Sequence, residues 1–255
     1  MNNSQNLLVS LNNGVRLIKF NRPSKKNAIN GSMYSEITKI LNEDATNDDV
    51  IVTVFTGAGS FYSSGNDLEG NSEFTEEAMR AACDRVVRYV DAFIDYPKLL
   101  IAVINGPAIG IAVTTLGLFD VVYASNKATF HTPFAALGLC AEGCSSYLFP
   151  RMMGKSNASQ VLLLGRKITA NEAFDLKLVS EVIPHEKLDE LFTKLNNYAE
   201  LPLRPVIKSK ELINGPWRQK LREVNRQEMD TVYRCLVDGD FIEGYTKFLT
   251  RRGKL

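Results

Sequence analysis

Leu99-Leu100-Ile101-Ala102-Val103-Ile104-Asn105-Gly106-Pro107-Ala108-Ile109-Gly110-Ile111-Ala112 is the stretch on which the fold turns. The run Leu99–Ile104 is apolar throughout and bounded by turn residues, so it reads as a buried strand. Asn105-Gly106-Pro107 ends it, and Gly110–Gly117 opens a helix. The same grammar repeats upstream. Leu7–Leu11 and Val15–Phe20 flank Asn12-Asn13-Gly14, the signature of a hairpin. Met33, Ile37, Ile40 and Leu41 recur at helical spacing in Ser32–Glu43, with Ser32 placed as N-cap. Val50–Phe55 is a strand stopped by Thr56-Gly57-Ala58-Gly59. Thr75–Ile94 is a helix with an acidic first turn, Glu76-Glu77.

Val121–Ala124 and Ala128–His131 are short strands, and then the pattern changes. Tyr147–Met153, Ser156–Leu164, Ala170–Leu176, Lys187–Ala199, Arg204–Asn214 and Gln219–Val237 all read as helix. Strands alternating with helices, then helices alone, predict an α/β core with a helical extension. No short-period repeat or low-complexity linker interrupts it.

Composition narrows the function. The 255 residues are 45% hydrophobic, which suits a substantial core. Thirty Lys+Arg against 29 Asp+Glu leave a formal charge of +1, without the basic balance of a nucleic-acid binder. The longest apolar run, Leu99–Val113, is too short and broken to span a bilayer. Cys83, Cys140, Cys144 and Cys235 show no CxxC spacing, and only His131 and His185 are available as imidazole ligands. Reduced thiols, with no metal site, are the expectation. Met1–Asn6 resembles neither a secretory signal nor a transit peptide.

Three segments carry candidate chemistry. In Phe61-Tyr62-Ser63-Ser64-Gly65-Asn66-Asp67-Leu68, a glycine-bearing loop after a strand can offer backbone N–H groups to an oxyanion; an ordinary strand-to-helix loop looks the same. Asn105–Ala112 places a helix N-terminus, with unpaired N–H groups, after a strand. A tight turn of small residues is the plain alternative. In Leu137-Gly138-Leu139-Cys140-Ala141-Glu142-Gly143-Cys144-Ser145-Ser146, Glu142 is the only acidic residue between Thr132 and Pro150. A carboxylate among apolar neighbours has a raised pKa, as a general base needs. A Glu satisfied by a helix dipole fits the same residues.

Together these segments resemble the enoyl-CoA hydratase/isomerase (crotonase) superfamily. Asn21-Arg22-Pro23 through Asn27-Ala28-Ile29 is similar to its early NRP…NA segment, Phe61–Leu68 to its first oxyanion loop and Asn105–Ala112 to its second. Thr169–Ala173 through Leu178–Val182 resembles a later signature. The resemblance implies an α/β fold of ββα units wound into a spiral, occupying residues 1–198. Residues 199–255 would form a C-terminal helical trimerisation region, giving a homotrimer or a dimer of trimers. It implies an acyl-CoA thioester whose oxygen lies between the N–H groups of Asn66 and Ile111, the latter following Gly110. Ala28 and Ser64, Gly65, Asn66, Asp67 and Leu68 would hold CoA through backbone contacts. Lys25, Lys26 and Lys210 are candidates for its phosphates; for each lysine a solvated surface position is an equal reading.

The family's hydratases position water with two glutamates. The corresponding positions here are Thr114 and Phe134, the latter following Pro133. Glu142 stands where Δ3,Δ2-enoyl-CoA isomerases carry their base, and Phe130–Phe134 with Ala141–Ser146 resembles their peroxisomal branch. The implied reaction moves a proton from C2 to C4 of a 3-enoyl-CoA and requires neither redox cofactor nor metal. Another reaction of the superfamily, with His131 as helper, stays open, as does a non-catalytic acyl-CoA-binding protein. Gly253-Lys254-Leu255 is similar to the C-terminal tripeptide read by the peroxisomal import receptor, with Gly in place of Ser. The expected location is the peroxisomal matrix, with the mitochondrion as alternative.

Overall fold

Nearly every apolar run named above becomes a strand or helix face around one sheet. The structure is a computed structural model that describes residues 6–68 and 75–252. The strands are β1 (Leu7–Asn12), β2 (Val15–Phe20), β3 (Val52–Gly57), β4 (Leu99–Ile104), β5 (Ala108–Ile109), β6 (Val121–Ser125), β7 (Thr129–His131), β8 (Ile168–Thr169) and β9 (Glu181–Ile183). The α-helices are α1 (Gly31–Asp44), α2 (Glu76–Asp95), α3 (Ile111–Thr114), α4 (Ser145–Met153), α5 (Lys155–Leu162), α6 (Ala170–Asp175), α7 (Leu188–Leu195), α8 (Leu203–Val237) and α9 (Asp240–Arg252). Among the described residues no helix is long and apolar enough to cross a membrane.

A six-stranded sheet has the order β1-β2-β3-β4-β6-β9, and β5-β7-β8 form a small second sheet. Only the β1–β2 hairpin is antiparallel in the large sheet; β2, β3, β4, β6 and β9 run parallel. Parallel central strands are covered on both faces, and β4 shows why its sequence is apolar without alternation. Leu100, Ala102 and Ile104 face a core shared with Met33, Ile37, Val86, Tyr89 and Phe93 of α1 and α2. Ile101 and Val103 face the other way, onto Leu188, Leu191 and Leu195 of α7. Each such side chain withdrawn from water contributes about 1.5–3 kcal/mol before the entropy of ordering it.

The expected α/β core and helical C-terminal region are present, with differences of detail. The N-cap of α1 is Asn30, not Ser32: Asn30 Oδ1 accepts the Met33 N–H at 3.0 Å, and the Ser32 hydroxyl donates to that same oxygen at 2.8 Å. Thr75 caps α2 as its sequence suggests, accepting the Ala78 N–H at 3.2 Å. Arg204–Asn214 and Gln219–Val237 are one helix, α8, with Pro216 inside it. Arg218 bridges the proline site by a two-pronged pair to Glu211, at 2.6 and 3.1 Å, which helps hold the two halves in line. Strand β9 is too short to show a pattern, and helix α9 was missed although Phe241, Ile242, Tyr245, Phe248 and Leu249 recur at helical spacing. Gly253, Lys254 and Leu255 lie outside the described residues.

Candidate active site

Three loops meet beside the N-terminus of α3. The first runs from β3 through Asn66, the second joins β4 to α3, and the third carries Glu142 into α4. Side-chain amides stitch them together. Asn27, fully buried, donates from Nδ2 to the carbonyls of Ala58 (2.9 Å) and Phe61 (2.7 Å), while its Oδ1 accepts the Arg22 N–H (2.9 Å). Asn105 Oδ1 accepts the Gly57 N–H at 3.0 Å, and its Nδ2 donates to Gly59 O at 2.9 Å. Arg22 Nη1 reaches both Ala28 O and Asp67 Oδ2 at 2.7 Å. The early NRP…NA segment is therefore a brace for the first loop.

The two suspected oxyanion loops lie against each other. Ile109 N–H donates to Ser63 O at 3.0 Å, and Ser63 pairs with Ala108 as a parallel bridge. Gly65, at φ 81°, is packed so closely that a Cβ there would stand 2.5 Å from Ile109 O. Glycine is thus required twice over, by conformation and by space. Ile29 N–H donates to Gly65 O and Asp67 N–H to Ile29 O, at 2.8 and 3.0 Å, so the backbone around Asn66 is pinned on both sides. Asn66 N–H itself and Ile111 N–H, the first of α3, donate to no protein acceptor among the described residues. Unpaired N–H groups of this kind are what a developing oxyanion takes up.

Asn66 borders a cavity of about 380 Å³ that is also lined by Tyr34, Leu68, Phe134, Glu142 and Val232, among others. Glu142 is 5% exposed. Burial, and then the nearby Glu228 carboxyl, pushes its pKa from 4.5 up to about 8. Asn66 Nδ2 donates to Glu142 Oε1 at 3.5 Å, and the Tyr34 hydroxyl donates to Asn66 Oδ1. Burial raises the Tyr34 hydroxyl well above its ordinary range, so it remains a donor. A buried carboxyl of raised proton affinity facing an apolar cavity can remove a weakly acidic proton from carbon.

The other sequence candidates separate. Ser64 N–H donates to Lys26 O at 2.9 Å, which places Ser64, Lys26 and Ala28 on one rim of the first loop. Lys26 is exposed, its ammonium 5.4 Å from the centre of the Phe61 ring. Lys210 is a correction. It is 8% exposed, and its ammonium donates to Asp120 Oδ2 (2.7 Å) and Lys98 O (2.8 Å), so it serves the core and is not offered to a phosphate. His131 is also corrected as a helper: its carbonyl accepts the Gly110 N–H at 2.8 Å, its ring turns toward Gly165, and burial lowers its pKa. Thr114 is fully buried with its hydroxyl on Ile111 O at 3.4 Å. Tyr34 and Glu228 were not foreseen. Only their tertiary position marks them, because each looks like an ordinary helix residue.

The sequence profile described as "Enoyl-CoA hydratase/isomerase" matches residues 10–254. The chain is 48% identical to "Enoyl-CoA delta isomerase 2" of Rattus norvegicus, over 99% of this chain. It spans 65% of that relative's length. It is 44% identical to "Enoyl-CoA delta isomerase 3, peroxisomal" of Mus musculus, over 98% of this chain and 80% of the relative. A crystal structure of an enoyl-CoA hydratase/isomerase from Pseudoalteromonas atlantica T6c superposes with a TM-score of 0.89 at 31% identity, covering 97% of this chain and 98% of the other.

Proposed function

The chain belongs to the enoyl-CoA hydratase/isomerase family, and from that premise we propose that it is an enoyl-CoA isomerase converting 3-enoyl-CoA to trans-2-enoyl-CoA. One observation carries the choice of reaction: among the described residues a single buried carboxyl of raised pKa, Glu142, faces the cavity. The family resemblance puts Thr114 and Phe134 where a hydratase would need carboxylates.

In this reading Glu142 takes a proton from C2 of the bound thioester. The C–H bonding pair moves into a dienolate, and negative charge gathers on the thioester oxygen. The N–H groups of Asn66 and Ile111 receive that oxygen, each contributing about 3 kcal/mol to the barrier reduction. The protonated Glu142 then returns its proton to C4, and the double bond comes into conjugation. The proton balance closes on one carboxyl, so the chemistry requires neither metal nor redox cofactor. Ala28 and Ser64–Leu68 would hold CoA, with Lys26 at the rim for its phosphates.

The assembly in this reading is a homotrimer or a dimer of trimers. The exposed Leu163, Leu164, Leu212, Ile213 and Trp217 supply apolar surface for it. The location is the peroxisomal matrix, supported by the name of the mouse relative. The decisive assay gives purified protein a 3-enoyl-CoA and follows the absorbance of the conjugated thioester. Steady formation of trans-2-enoyl-CoA is expected; its absence with folded protein would overturn the reading.

A further inference from the structure

The turn that presents Glu142 is not held by its own neighbours alone. Gly143 (φ 68°) and Cys144 (φ 63°) both adopt left-handed backbone, and Cys144 starts α4 with no side-chain cap of its own. Left-handed conformation costs a non-glycine residue about 1–2 kcal/mol, so something must hold Cys144 there. The Glu142 carbonyl is fixed from inside, accepting from Ser145 Oγ at 2.7 Å. From outside, Glu228 of α8 reaches in: its Oε2 accepts the Cys144 N–H at 2.7 Å and its Oε1 the Ser146 N–H at 2.9 Å. Glu228 is 6% exposed. A carboxylate on two N–H groups at a helix start is favoured by both the charge-assisted bonds and the helix dipole.

We propose that Glu228 is the positioning residue for Glu142, clamping the turn that carries the base and keeping a fixed negative charge beside it. The proposal deepens the reading of Glu142 as the base and rests on it. Both carboxyls feel burial, but they differ in partners. Burial raises the pKa of Glu228, and the Ser146 side chain with the N–H groups of Ser146 and Cys144 opposes the rise. Glu142 accepts only the long bond from Asn66. Glu228 therefore has the partners that favour a carboxylate, and Glu142 lacks them. The neighbouring charge makes Glu142 a stronger base when it does ionise, which suits proton removal from carbon.

The other titratable groups around Glu228 do not supply this charge. Cys140 and Cys144, on the turn itself, are pushed up by burial, Cys140 to about 12, and stay neutral. On α2, Cys83 is likewise raised to about 11. Asp91 of α2 is occupied by Asn225 Nδ2 at 2.9 Å and Arg226 at 3.3 Å. Asp230, on α8, is paired with Arg80 at 2.9 Å.

Two variants separate charge from clamp. Glu228→Gln keeps the side chain's size and removes its charge; Glu228→Asp keeps the charge and shortens its reach. Glutamate labelled with ¹³C at the carboxyl reports each titration, and the Glu142 signal is the one lost in Glu142→Gln. In Glu228→Gln the Glu142 midpoint should fall by about one pH unit. Its kcat on the alkaline plateau should fall at least about threefold, with KM changed less than about twofold. In Glu228→Asp the midpoint should stay and kcat should fall. A Glu142 midpoint unmoved in Glu228→Gln overturns the proposal, because a merely structural residue would leave it there. Full kcat in Glu228→Asp overturns it too, and that arm decides alone where Glu228→Gln does not fold. If the wild type shows no isomerisation, the reading of function fails, and the titration arm still decides the role of Glu228.

Discussion

Asn66 Nδ2 donates to Glu142 Oε1 across 3.5 Å while the Tyr34 hydroxyl donates to Asn66 Oδ1, so one asparagine links the first loop to the base. The tyrosine settles which way the amide points: its proton requires the carbonyl, which turns the NH₂ group toward the carboxyl. The ring of Tyr34 is in turn fixed edge-on to Tyr89, with centroids 4.8 Å apart. Asn66 thus has two separable duties in the proposed reaction, its backbone N–H for the thioester oxygen and its side chain for Glu142.

Glu142→Gln removes the proton carrier of the proposed reaction and preserves side-chain size. Turnover of 3-enoyl-CoA should fall by roughly 10²–10⁴-fold with binding of the CoA ester retained. Steady-state kinetics alongside calorimetric titration of a saturated acyl-CoA checks both halves. Near-normal turnover in a folded variant would remove Glu142 from the role.

Asn66→Ala tests the side-chain duty alone, since alanine retains the backbone N–H. Losing a long hydrogen bond to an ionised group should lower kcat by about tenfold, with KM little changed. Tyr34→Phe, which only frees the amide to flip, should fall between wild type and Asn66→Ala. Equal kcat for all three would show that Glu142 needs no orienting partner.

What could be read from the sequence was what lies close in the chain. Glu142 stood out because no other acid lies between Thr132 and Pro150, and the two loops showed in Gly65 and in Asn105-Gly106-Pro107. Depth and long-range pairing could not be read. Lys210 looked like any basic surface residue until Asp120, 90 positions away, took its ammonium. Glu228 looked like an exposed helix glutamate, yet it caps a helix start 84 residues back in the chain. Helix α9 carries helical spacing in Phe241, Ile242, Tyr245 and Leu249, but its seat could not be read: Gly138 and Gly244 let its backbone press onto the Leu137–Gly138 turn, where an added Cβ would stand 2.0 Å and 2.4 Å from neighbouring backbone. Contact of that kind leaves no periodic mark in a sequence.

The raised pKa of Glu142 has a cost in stability whose sign can be worked out. Unfolded, the carboxyl ionises near 4.5; folded, near about 8. Between those values the folded chain binds more protons, so this group's contribution to stability is full below the unfolded pKa and is lost as pH rises to about 8. At about 1.4 kcal/mol per pH unit the loss is on the order of 5 kcal/mol at most. Glu142→Gln abolishes it, although a buried amide without a second partner gives back about 1–3 kcal/mol. The difference in melting temperature, variant minus wild type, should therefore climb between about pH 4.5 and pH 8 and level off above. Thermal melts across that range check it, and a flat difference would mean that Glu142 is not perturbed.

Hydration of trans-2-enoyl-CoA should be at least about 100-fold slower than isomerisation, because general acid–base catalysis of water attack has no carboxylate to work through. The argument rests on what occupies the two places. Thr114 is fully buried, with its hydroxyl directed at Ile111 O, and a Cβ on Gly143 would come within 2.7 Å of that hydroxyl. Phe134 is 4% exposed, and its ring forms part of the cavity wall, presenting carbon where a hydratase would present an oxygen. Glu142 alone can deprotonate a water or protonate a carbon, but it cannot hold both partners of an addition at once. Substituting one position does not repair this: Phe134→Glu would place another buried carboxyl in the cavity with Glu142 and raise pKa values further, with Thr114 still buried. Chromatographic analysis of 3-hydroxyacyl-CoA formed from the 2-enoyl ester, set beside the isomerase rate on the same preparation, measures the ratio. Comparable rates would mean that a water-activating pair exists and that Glu142 is one half of it.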